Sequence, residues 1–115
     1  MENISKDSPS YQEELFAPVF VLFSFKDDLD AAHLANDNKY GLSGSIISTN
    51  LQRAKSLALK LEIGNVFIND AVGSDPVIPS GGVKDSGFGR ECYKDGILEV
   101  INRKAICAMP GIPDL

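Results

Sequence analysis

The chain has 115 residues, 43% of them hydrophobic and 23% charged, which suits one small globular domain and excludes a large multidomain enzyme. Sixteen Asp and Glu against eleven Lys and Arg leave a net charge of -5, the wrong sign for steering toward a phosphate backbone, so no nucleic acid partner is expected. Two cysteines, Cys92 and Cys107, and a single histidine, His33, are too few for a disulfide framework or a Cys/His zinc site.

The first seven residues are polar and carry no apolar signal-peptide core, and no apolar run approaches the length of a membrane span. A reducing, cytoplasmic setting without a membrane partner is the expectation. Residues 1–12, with Ser8-Pro9, read as an exposed lead-in. Val19 to Phe25 is almost continuously apolar between Pro18 and Lys26-Asp27-Asp28, the pattern of a strand covered on both faces. Asp28 is placed to cap a helix running to about Asn36, with Leu29, Ala32 and Ala35 on one side, before Asn38-Lys39-Tyr40-Gly41 turns the chain.

Leu42 to Ser48 reads as a second strand, and Thr49 or Asn50 caps an amphipathic helix that turns Leu51, Ala54, Leu57, Ala58 and Leu61 inward. Gly64 stands where a left-handed C-cap residue belongs, and Asn65 to Asn69 follows as a short buried strand. Strands separated by single helices favour a parallel sheet in an α/β layered architecture, with ligands gathering at the C-terminal strand ends. Asp70 to Gly89, rich in Gly, Pro, Ser and Asp, is a long loop of the kind that usually carries function. Arg90 to Val100 returns to a helix interrupted by Gly96, and Ile101 to Met109 suits a final strand.

Chemistry is sparse on the residues alone. Gly82 to Gly87 is followed by Phe88 where a P-loop requires Lys, and no Gly-x-Gly-x-x-Gly follows a strand. Cys92 has no neighbour in sequence to activate a thiolate, and His33 falls in the first helix. An anion nest built from Gly81 to Gly89 rests on glycine content only.

Five words recur in one fixed order: Glu13-Glu14-Leu15-Phe16-Ala17-Pro18-Val19, Leu34-Ala35-Asn36-Asp37, Tyr40-Gly41-Leu42, Asn65-Val66-Phe67-Ile68-Asn69, and Gly81 through Glu91. Together, over roughly residues 9–106, they resemble the C-terminal part of the NAD(P)-dependent aldehyde dehydrogenases, and within that superfamily the succinate-semialdehyde dehydrogenases. The resemblance implies an α/β fold: a parallel-sheet layered half of the catalytic domain over residues 13–100, and a C-terminal oligomerisation strand and tail over 101–115. In that family an aldehyde is oxidised to a carboxylic acid through a thiohemiacetal that passes a hydride to NAD or NADP. The nucleophilic cysteine, the glutamate base and the dinucleotide-binding domain lie upstream of the resembling region. The expectation is therefore a fragment that is inactive alone, binds no cofactor tightly, and pairs with itself or with the missing half.

Residue by residue, the resemblance implies that Glu14 bonds the nicotinamide ribose, a task suited to a carboxylate with two acceptor oxygens, and that Phe16 lies beside the nicotinamide. It places Asn69 near the reacting centre in a supporting role, Ser74 on the distal carboxylate of a small aldehyde substrate, and Glu91 behind the catalytic cysteine. Lys84 and Arg90 read as structural. Ala17 replaces a family glycine, which predicts backbone strain, and Ser80 replaces an aromatic, which widens the aldehyde pocket and makes it more polar. The alternative is a non-catalytic assembly or binding module derived from the same fold.

Overall fold

The structure, a computed structural model, describes residues 1, 2, 4–109 and 111. Helix α1 (Pro9–Gln12) starts at a proline and is followed by α2 (Asp28–Asn36), whose first turn is capped by the Asp27 carboxylate accepting from the Asp30 amide at 2.9 Å. The cap thus falls one residue before Asp28. Strands β1 (Tyr40–Gly41) and β2 (Ser43–Ile46) lead into α3 (Leu51–Ala58), capped by Asn50 through the Arg53 amide at 3.0 Å. Strand β3 (Asn65–Ile68), the short β4 (Val83–Lys84) and helix α4 (Tyr93–Glu99) complete the order.

The β2–α3–β3 unit is the centre of the fold. Ser43 to Ile46 pair in parallel with Asn65 to Ile68, register Ser43 to Asn65, while β1 and β4 form a separate antiparallel pair. The fold is therefore α/β with a parallel element, as expected, but the parallel sheet has two strands. Ala32 of α2 (4% exposed) and Ala54 of α3 (1%) are the buried apolar residues among those described; their small side chains suit close helix approach.

Val19 to Phe25 is not a buried strand. Among the described residues its ladder pairing is a single parallel bridge between Glu2 and Leu22, and Phe20 is 78% exposed and Phe25 57%. A strand is stabilised by its neighbours, and one bridge does not cover this one. Residues 101–109 likewise form no strand and expose Ile106 and Met109. Gly64 is not left-handed; positive φ among the described glycines occurs at Gly87 and Gly89, and α3 already ends at Ala58. Met1 and Gln12 are both tied down, the Met1 ammonium donating to the Phe20 carbonyl at 2.7 Å and Gln12 Nε2 to the Asp37 carbonyl at 3.1 Å. The molecule measures 80 × 34 × 26 Å and exposes 9212 Å², where a compact monomer of this mass exposes roughly 6,100 Å².

Helices α2 and α3 are joined by a forked ion pair, Arg53 donating through Nε and Nη2 to both oxygens of Asp28 at 2.6–2.9 Å. Hydrogen bonding from Arg53 holds the Asp28 carboxyl below its ordinary value, and Lys6 and then Tyr11 do the same for Asp37. A depressed carboxylate stabilises the fold above the unfolded value of 3.8, and this contribution is lost as the pH falls through the lower folded value. The denaturation midpoint should accordingly hold steady from about pH 8 to pH 5 and decline below about pH 4. Asp28→Asn should flatten that decline. An identical acid slope in wild type and variant would remove the pair from the account.

Candidate functional site

Two cavities meet at the β1–β2 junction. The larger, about 690 Å³, is lined by Tyr11, Glu14, Phe23, Leu34 and Asp37 together with Tyr40 to Ser43. The second, about 320 Å³, is lined by Asn65, Phe67, Val72, Ser74, Ser80 and Glu91, and shares Leu42 and Ser43 with the first. The structure thus brings Ser74, Ser80 and Glu91 together and places Glu14 across a common wall from them.

The second cavity is assembled by an asparagine. From the first position of β3, Asn65 donates through Nδ2 to the Pro79 carbonyl at 2.9 Å and accepts from the Gly81 amide at 3.3 Å, so its side chain imitates a strand partner for the loop. Ser80 and Glu91 then exchange backbone hydrogen bonds at 2.9 and 2.7 Å. The loop's other turn is filled by Arg90, whose Nη1 donates to the Gly82 and Gly89 carbonyls at 2.9 and 2.7 Å. Several amides of this loop donate within the protein, Gly81 to Asn65 Oδ1 and Asp85, Ser86 and Gly87 to the Lys39, Val83 and Lys84 carbonyls, so they are already engaged. Lys84 is equally engaged, donating to the Asn36 and Asn38 carbonyls at the end of α2 and pairing with Glu62 at 3.0 Å.

Asn69 belongs to neither cavity lining. At φ 57°, a left-handed conformation that asparagine tolerates better than most residues, it accepts from the Ser48 amide at 2.8 Å and donates to the Ser48 carbonyl at 2.9 Å. Its side chain thereby continues the β2–β3 pairing beyond Ile68. Phe16 projects 92% exposed, outside the Glu14 cleft lining. The positive φ near this word, 43°, lies at Phe16 and not at Ala17, so the strain expected of the alanine is absent there. Cys92 also has a positive φ and makes no side-chain cap for α4.

The sequence reading missed Tyr11, Asp37, Leu42 and Ser43 as cavity walls. Leu42 and Asp37 sit inside quoted words, but their convergence depends on contacts between residues far apart in the chain. No group of three His, Cys, Asp or Glu residues able to hold a metal occurs among the described residues, and no described helix is long and apolar enough to cross a membrane.

The model of the aldehyde dehydrogenase family matches residues 1–106. A succinate-semialdehyde dehydrogenase, NADP(+), of Deinococcus radiodurans is 43% identical over 110 residues, covering 96% of this chain and 23% of that protein. The succinic semialdehyde dehydrogenase of Streptococcus pyogenes, solved with NADP+, superposes with a TM-score of 0.88 at 39% identity over 96% of this chain and 24% of its own. Betaine aldehyde dehydrogenase of Staphylococcus aureus, solved with NAD+, gives a TM-score of 0.78 at 40% identity over 85% of this chain. The chain spans about a quarter of the length of the curated relatives it matches. With 106 of its 115 residues matched by the family model, the chain belongs to the aldehyde dehydrogenase family.

Proposed function

We propose that the chain is the C-terminal quarter of a cytoplasmic NAD(P)-dependent aldehyde dehydrogenase acting on a small carboxylate-bearing aldehyde such as succinate semialdehyde. Residues 13–100 are its part of the catalytic domain, and 101–115 serve assembly, with a second copy or with the remaining three quarters. The observation that carries the reading is the shared Leu42–Ser43 wall, with Glu14 on one side and Ser74 and Ser80 on the other. Cofactor-side and substrate-side residues then face adjoining spaces, as a transfer between two bound molecules requires.

The residues suit the nicotinamide end of a dinucleotide. Glu14 is an exposed carboxylate at a cleft of about 690 Å³ and suits a pair of ribose hydroxyls; Phe16 offers an uncovered aromatic face. When bound, the nicotinamide supplies the hydride acceptor. Ser74 and Ser80 offer hydroxyl donors to a distal carboxylate, and Ser80 leaves room where an aromatic would narrow the pocket. Asn69 supports the site by holding the Ser48 turn. Covalent chemistry must be supplied by residues outside this chain.

The test is complementation. The chain alone, mixed with succinate semialdehyde and NADP+, should form no NADPH, whereas co-expression with the upstream three quarters of the Streptococcus pyogenes relative should restore turnover. Ser74→Ala in that assembly should raise KM for the carboxylate-bearing aldehyde about tenfold and leave an uncharged aldehyde unaffected, the loss of one hydrogen bond to a charged group. NADPH formation by the chain alone, or an assembled complex without turnover, would overturn the proposal.

A further inference from the structure

We propose that Asp37 is a positioning residue that anchors the N-terminal segment, residues 5–14, and so holds Glu14 on the wall of the larger cavity. The claim builds on the cofactor role proposed for Glu14. Three side chains converge on this one residue at the end of α2. Its Oδ2 accepts from Lys6 Nζ and, at 2.9 Å, from the Tyr11 hydroxyl. Its backbone carbonyl accepts from Gln12 Nε2 at 3.1 Å, and the same Gln12 amide accepts from the Lys39 amide at 3.2 Å.

Each bond alone is weak, since Lys6 is 70% exposed and Asp37 39%, and exposed ion pairs are screened. Their arrangement matters more than their individual strength. Lys6, Tyr11 and Gln12 lie before, within and at the end of α1, so all three must be in place together. The Tyr11 ring also meets Phe23 edge-on at 5.5 Å and 75°, which adds an apolar contact on the side facing the cavity. Glu14 is two residues beyond Gln12, and its freedom is set by whether Gln12 is held. The α2 side of the latch is rigid, because the Asp37 amide closes the helix on the His33 carbonyl at 3.0 Å.

Lys6, Tyr11 and, more distantly, Lys84 are the charged or titratable groups that act on Asp37. Burial and then the bond to Asp37 hold the Tyr11 phenol above its ordinary value, which provides a local readout.

The experiment uses the whole 115-residue chain, with hydrogen exchange and ring titration followed by NMR and with NADP+ at millimolar concentration as the probe. In Asp37→Ala, exchange at the Tyr11 and Glu13 amides should rise roughly tenfold while Leu34 and Leu57, inside α2 and α3, keep their protection. Tyr11 should titrate lower, and the Glu14 resonance should lose most of its response to NADP+. Asp37→Asn, which keeps an acceptor for Tyr11 but no charge for Lys6, should fall between. Unchanged exchange at Tyr11 and Glu13 with an unchanged Tyr11 titration would overturn the latch. A wild-type Glu14 that ignores NADP+, beside a variant that frees the segment, would support the anchoring and sink the cofactor role.

Discussion

Gly64→Ala should detach the loop that carries Ser80 from the parallel pair. A Cβ built at Gly64 stands 1.6 Å from the Gly81 carbonyl oxygen and 2.7 Å from its carbon, where real Cβ atoms essentially never come within 3.0 Å. The obstacle is backbone, so no rotamer change relieves it. Nor can Gly64 retreat, because its amide is bonded to the Gly41 and Leu42 carbonyls at 3.1 and 3.0 Å. The segment 79–82 must therefore move away, and with it go the Asn65 bonds and the Ser80–Glu91 bridge that shape the smaller cavity. The expected loss is about 3 kcal/mol, the upper end of overpacking costs and a large fraction of a small domain's stability. Urea denaturation measures it, and limited proteolysis should show new cleavage between residues 70 and 91. Gly73→Ala, with nothing within 4 Å of the added methyl, is the matched control and should stay within about 0.5 kcal/mol. A Gly64→Ala midpoint matching that control would show that the two backbones do not cross as described.

At Asn69 the order of stability should run wild type, then Gly, then Ala. Alanine loses both hydrogen bonds to Ser48 and must hold a φ of 57° without asparagine's tolerance for it, while glycine loses the bonds but adopts the backbone freely. About 3 kcal/mol for alanine and about 2 kcal/mol for glycine are expected, since each of the two hydrogen bonds is worth roughly 1 kcal/mol and the left-handed backbone costs alanine about 1 kcal/mol more. Thermal or urea unfolding of the three proteins decides the order. If the two bonds to Ser48 did not hold the turn, glycine would stay within about 0.5 kcal/mol of wild type and only alanine would lose stability, through its φ.

These two residues mark the boundary of what the sequence discloses. Helices α2 and α3 were legible because their apolar spacing and capping residues are local properties: Asp28 was one residue past the true cap, Asp27, and Asn50 was one of the two caps expected, with Thr49. The parallel β2–β3 pair was legible because a clear helix separates Leu42 to Ser48 from Asn65 to Asn69, and the order strand, helix, strand favours parallel pairing. Val19 to Phe25 was misread because its composition demands cover, which composition cannot supply. Gly64 was marked as important for the wrong reason: its need is the nearness of Gly81, a contact between residues far apart in sequence.

Three asparagines share one device that no local pattern reveals. Asn36, Asn65 and Asn69 each donate and accept with a distant backbone, Asn36 through the Lys60 carbonyl and the Glu62 amide, both at 2.8 Å. Of the cavity linings, Glu14 stood in a family word and Ser74 and Ser80 were reached by their spacing from two others, whereas the meeting of Asp37 with Tyr11 emerged only when the fold placed them against each other.

The elongated outline has a consequence for how this protein behaves on a sizing column. Its radius of gyration, 20.9 Å, is that of a compact globule of roughly 370 residues, whereas 115 residues packed compactly would give about 13 Å. A lone chain with this outline should therefore elute early, near the position of a compact trimer. Light scattering on the same peak would read 12.4 kDa for that single chain, and only a heavier reading there would report genuine self-association.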